Sequence, residues 1–192
     1  MTAMLDVASS VIEALDRAGV RYSVGGSLAS SFSGEPRSSI DVDIVVDMSL
    51  AQVHPFVESL GDAFYADEDA LRRAVTNRAT TNLIHHASGI KVDIFVARSA
   101  FDVRQLERRQ LVRIGTEPER HWFVHTPEDI LLQKMLWYRQ GGETSDRQWR
   151  DLLGILIVQG TRLDNAYVNA TAADLGVADL LDRARRDAGH NV

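Results

Sequence analysis

The spacing of apolar residues changes several times along the chain, and each change marks an element. Residues 5–18 repeat at helical spacing and stop at Gly19. Residues 21–24 read as a short strand, followed at once by Gly25-Gly26-Ser27 and a short helix over 28–32. Gly34-Glu35-Pro36 breaks that helix. Residues 42–46 alternate as a strand with an Asp on either side of Val42. Ser49 caps a helix running to about residue 60, 64–65 is strand-like, and 68–77 is helical. Residues 80–86 and 90–96 flank Ala87-Ser88-Gly89, which signals a hairpin. A short helix over 99–107 and strands over 110–114 and 121–124 follow.

After His125 the pattern becomes helical throughout. Thr126-Pro127-Glu128-Asp129 supplies a capping hydroxyl, a proline at the first helical position and acids in the first turn. Helices are expected over 127–139, 146–158, 163–173 and 177–188. The predicted class is α+β, with a mixed domain over 1–125 and a helical domain over 126–192.

Composition narrows the function classes. At 192 residues, with 45% apolar and 25% charged residues, the chain can bury a real core. A net charge of −6 argues against a protein that coats nucleic acid, yet leaves one specific RNA or protein substrate open. Arg104, Arg108, Arg109 and Arg113 could make a local basic patch, although a solvated face is the simpler explanation of them. With no cysteine, disulfides and thiolate metal sites are excluded. Residues 1–18 have neither the basic start nor the apolar run of a signal peptide, and no stretch reaches 18 apolar residues. The expectation is a cytoplasmic protein without a membrane span. Of the 21 basic residues only Lys91 and Lys134 are lysines, a bias that GC-rich coding explains.

Three features of the first part fit together. Gly25-Gly26-Ser27 lies between a strand and a helix, where glycines admit close approach and free N–H groups with a hydroxyl suit phosphate oxygens. Taken alone it also describes an ordinary turn. In Ile40-Asp41-Val42-Asp43-Ile44 the alternation puts Asp41 and Asp43 on one strand face. Two carboxylates so close repel, and a divalent cation removes the difficulty. Otherwise Asp41 ends a loop and Asp43 pairs with an arginine. Lys91-Val92-Asp93-Ile94 is a second apolar strand bearing one acid, and beside the first it would add a third carboxylate. Three acids on neighbouring strands suit a two-metal site.

Gly26-Ser27, then Asp41-Val42-Asp43, then Val92-Asp93-Ile94 resembles the signature of the polymerase-beta-like nucleotidyltransferase superfamily. Arg37-Ser38-Ser39-Ile40-Asp41-Val42-Asp43 is similar to the Arg-x-Thr-x-Asp-x-Asp form of bacterial members, with Ser39 in the threonine position. The resemblance implies a mixed sheet with flanking helices followed by a helical domain. It implies transfer of a nucleoside monophosphate from an NTP, ATP among them, to an acceptor hydroxyl with release of pyrophosphate. Asp41, Asp43 and Asp93 would be the catalytic residues and would hold two magnesium ions, with manganese as a substitute. Gly25, Gly26, Ser27 and Arg37 would bind phosphate.

Pro127 to Lys134 resembles the segment that opens the second domain of abortive-infection-type toxin nucleotidyltransferases, in which a lysine here and an Arg-x-x-x-Asp on the next helix are typical. Lys134 sits amid Ile130, Leu131, Trp137 and Tyr138, where its charge needs a partner, a triphosphate or an active-site aspartate, or must snorkel to solvent. Arg147 and Asp151 match the second pattern, or form a surface pair. RNA or protein is the favoured acceptor, a small molecule the other option, and a cognate antitoxin protein the partner such a toxin would have. The alternative function is a non-catalytic nucleotide-binding antitoxin or regulatory module. His85 and His86 alternate across a strand, and His121 with His125 has no third ligand, so the histidines read as structural. Trp122, Trp137 and Trp149 read as packing residues.

Overall fold

A computed structural model describes residues 2–33, 41–115 and 118–189. The elements run α1 (Thr2–Arg17), β1 (Arg21–Val24), α2 (Gly26–Ser33), β2 (Asp41–Asp47), α3 (Leu50–Leu60), β3 (Phe64–Tyr65), α4 (Glu68–Asn77), β4 (Thr80–His85), β5 (Lys91–Val96), α5 (Ala100–Arg108), β6 (Gln110–Ile114) and β7 (Arg120–Val124). Four helices follow among the described residues: α6 (Pro127–Gln140), α7 (Asp146–Gln159), α8 (Asn165–Asp174) and α9 (Ala178–Asp187). The chain divides into two compact units, Met1–Leu28 with Ser38–His125, and Ala29–Arg37 with Thr126–Val192. No helix among the described residues is long and apolar enough to cross a membrane.

The first unit is built on a mixed seven-stranded sheet, in the order β3-β4-β5-β2-β1-β7-β6 among the described residues. Its centre is the parallel pair β2 and β5, with β1 antiparallel to β2 and parallel to β7. Strand alternation sorts the two faces. Val42, Ile44 and Val46 of β2, with Val92, Ile94 and Val96 of β5, are buried on one side. Asp41, Asp43 and Val45 lie on the other face of β2, with Lys91, Asp93 and Phe95 beside them. Helix α1 buries Met4, Val7, Ala8, Val11, Ile12 and Leu15, a stripe of three- and four-residue steps. It packs on β1 and α3, while α5 packs on β1 and β2. Capping boxes start α3 at Ser49 and α5 at Ser99.

Helix α2 begins at Gly26, two residues before the expected start. Gly26 has φ of +58°, a left-handed conformation that only glycine adopts cheaply, and this lets β1 turn into the helix without a longer loop.

In the second unit α6 packs on α7 and α8, and α9 on α7 and α8. Thr126, Ser145 and Asp164 cap α6, α7 and α8 by accepting backbone N–H bonds. Leu131, Leu132, Met135, Leu152, Ile155 and Val168 form the core. Tyr138 packs on Trp149 with ring centroids 5.0 Å apart, and the Arg183 guanidinium lies over Trp149 at 4.2 Å.

Candidate active site

Register decides which side chains meet. Asp43 and Asp93 are direct partners across the parallel β2–β5 ladder, and Asp41 is the partner of Lys91. Residues opposite one another on neighbouring strands point to the same face, so Asp41, Asp43, Lys91 and Asp93 share one side of the sheet. All four are half-buried.

The glycine turn closes one end of this group. The backbone N–H of Gly25 donates to the Asp43 carbonyl at 2.9 Å. A Cβ on Gly26 would stand 1.7 Å from Asp43 Oδ2, so bare backbone lies directly against that carboxylate. Ser27 follows as the second residue of α2, half-buried. The start of α2 and the acid-bearing strands are thus neighbours. A helix start of this kind is where N–H groups can meet phosphate oxygens.

Lys91 lies among the acids. Its Nζ is 2.8 Å from Asp93 Oδ2, and the two side chains are 41% and 16% exposed. The hydrogen bond to Asp93 raises the Lys91 pKa against a burial penalty, with the charges of Asp93, Asp41 and Asp43 adding to the rise. His125 supports the turn from behind. It continues β7, donates its backbone N–H to the Val24 carbonyl at 3.0 Å, and is buried. A Cβ on Gly25 would lie 3.0 Å from its Cδ2 and 3.2 Å from its Nε2. Burial pushes the imidazole pKa down to about 4, against the opposing charge of Asp102.

Arg37 lies outside the described residues, as do Ser38, Ser39 and Ile40. In the second unit, Lys134 Nζ is 2.8 Å from Asp151 Oδ2, with side-chain exposures of 4% and 10%. The charge therefore meets a carboxylate on the neighbouring helix and does not snorkel. Arg147 is exposed on the first turn of α7 and is not the partner Asp151 takes. Deeper in the helices, the Tyr167 hydroxyl donates to Asp129 Oδ1 at 2.6 Å and Glu128 accepts from the Asp164 N–H at 3.0 Å.

No family model matches the chain, and no curated protein matches it. Solved structures do. The antibiotic-resistance factor ANT(2'')-Ia is 13% identical with a TM-score of 0.51, over 97% of this chain and 95% of that one. JHP933 from Helicobacter pylori is 13% identical at a TM-score of 0.51, over 95% and 77%. An antigenic nucleotidyltransferase-like protein from Paracoccidioides brasiliensis is 18% identical at a TM-score of 0.51, covering 90% of each chain. The chain has a nucleotidyltransferase-type fold. Its sheet and helical extension are those the signature led us to expect.

On this nucleotidyltransferase-type fold the acid face brings three carboxylates onto adjoining strands, the donor type that magnesium prefers. As they stand, no three His, Asp or Glu side chains among the described residues converge on one point that would hold an ion. A cationic group is nonetheless already seated there, the Lys91 ammonium on Asp93. The carboxylates thus occupy a place where positive charge is favourable. From the sequence, Lys91 stands on the strand with no role of its own. The signal was present, since two residues' separation on a strand puts Lys91 and Asp93 on one face. The packing of His125 against Gly25 had no such signal, because it depends on the parallel pairing of β1 with β7.

Proposed function

We propose that the protein transfers a nucleoside monophosphate from an NTP to an acceptor hydroxyl, releasing pyrophosphate. The observation that carries this reading is the register Asp43 opposite Asp93, with Gly26 backbone laid against the Asp43 carboxylate. In this mechanism the start of α2 at Gly26 and Ser27, with the Ser27 hydroxyl, holds triphosphate oxygens, while the Gly25 N–H keeps the turn on the Asp43 carbonyl. Asp93 accepts the proton of the acceptor hydroxyl. The acceptor oxygen bonds to the α-phosphorus, and the bond from that phosphorus to the bridging oxygen breaks, its electron pair leaving with pyrophosphate. Asp41, Asp43 and Asp93 would hold the magnesium ions, which when bound polarise the phosphate and screen the charge of the leaving group. The likeness of α6 to toxin-type relatives supports RNA or protein as the acceptor class, and with it a cognate antitoxin.

A second reading has a specific observation in its favour. The Lys91–Asp93 ion pair partly satisfies the acids without metal, as a nucleotide-binding module without catalysis would require.

One experiment separates the two. Each α-labelled NTP is incubated with cell lysate and magnesium, wild type beside Asp41→Ala/Asp43→Ala. The transfer reading expects label on an RNA or protein band with wild type alone. Magnesium-dependent NTP binding without label transfer supports the module. No NTP binding at all sinks both readings.

A further inference from the structure

Four charged side chains crowd one face of two paired strands, and one is a cation. Lys91 is the register partner of Asp41, and Asp93 that of Asp43. Lys91 and Asp93 are also two residues apart on β5, and their charged ends meet at 2.8 Å. Neighbouring strands lie about 4.8 Å apart, so an ammonium at Asp93 acts on Asp41 and Asp43 as well. The electrostatic influence of both on Lys91 accords with this. Three carboxylates held together without positive charge would repel.

We propose that Lys91 is a tethered counter-cation on the acid face, which neutralises Asp93 in the metal-free protein and competes with a divalent cation for that carboxylate. The inference rests on the metal-dependent reading above. A hard cation would take an oxygen of the same carboxylate whose Oδ2 the ammonium holds, and two positive charges on one carboxylate repel. Lys91 therefore lowers the affinity of the bare protein for metal and stabilises the face while it is empty. Its exposed, flexible stem allows it to swing off without disturbing the strand. Once displaced, the ammonium remains on the same face, where an anionic triphosphate would meet it. Metal and nucleotide loading become coupled through one side chain.

The test uses the full chain without nucleotide. Manganese is titrated by electron paramagnetic resonance into wild type, Lys91→Met, Lys91→Arg and Asp93→Asn, and melting is followed in chelator to show that each variant folds. Lys91→Met should bind manganese about three- to tenfold more tightly than wild type, because one partly screened charge is removed. In chelator it should melt below wild type and gain more from manganese. Lys91→Arg keeps the charge and should stay within about twofold of wild type. If wild type binds manganese and folded Lys91→Met binds it no more tightly, the counter-cation is overturned while the metal reading survives. If wild type and Asp93→Asn are equally inert to manganese, the metal reading falls and takes this proposal with it.

Discussion

At Gly26 the space for a side chain is already taken by the carboxylate of Asp43. Gly26→Ala adds a Cβ that Asp43 must move to accommodate, and it holds a non-glycine residue at φ of +58°. The expected result is a stability loss of about 2 kcal/mol by urea unfolding, from left-handed strain and the displaced contact. Labelled-nucleotide transfer should fall by about a hundredfold, since an ångström of misplacement is enough for that. Normal transfer by this variant would show that the turn does not position the acids. His125, behind the same turn, gives a pH prediction. Its folded pKa is about 4 against an ordinary 6.5, so the unfolded chain binds the proton more readily between those values. Its contribution is complete above pH 6.5 and is lost as pH falls toward 4. Between pH 7 and pH 5 this amounts to about 2 kcal/mol. Urea midpoints of wild type should drop over that interval by more than those of His125→Phe, and parallel slopes would refute the assignment.

At the scale of elements, alternation and caps foretold nearly every helix and strand. Local rules suffice where one face of a strand is apolar, as in Val42-Asp43-Ile44 and Val92-Asp93-Ile94, or where Thr126 and Pro127 open a helix. The strand order was not legible, because pairing β1 with β7 joins segments a hundred residues apart on no local signal. The same limit hid the partner of Lys134. Its burial amid apolar residues could be read from the helical wheel, but the Asp151 it meets lies on α7. Breaking that buried pair leaves Asp151 without its ammonium. Lys134→Met should therefore cost about 3 kcal/mol, and Lys134→Met/Asp151→Leu should recover most of it. Thermal melts of both variants check this. If the double variant proves no more stable than the single, the pair does not govern the stability of α6 and α7.

For the whole molecule, the division after His125 leaves one helix shared in sequence. Gly26, Ser27 and Leu28 of α2 count with the sheet, and Ala29–Ser33 with the helical unit, in which Gln159 donates to the Ser33 carbonyl. Ala29, Ser30 and Ser33 are buried. The helical unit is thus discontinuous along the chain. On a ribosome, the second half of α2 emerges well before the helices that cover it. The intervening residues 38–125 take roughly 4–18 s to synthesise at ordinary elongation rates. For that time the strand-to-helix turn that would grip phosphate is anchored at one end only. The sheet can complete its ladder during translation, whereas the helix that opens at Gly26 is finished only after the last helices have been made.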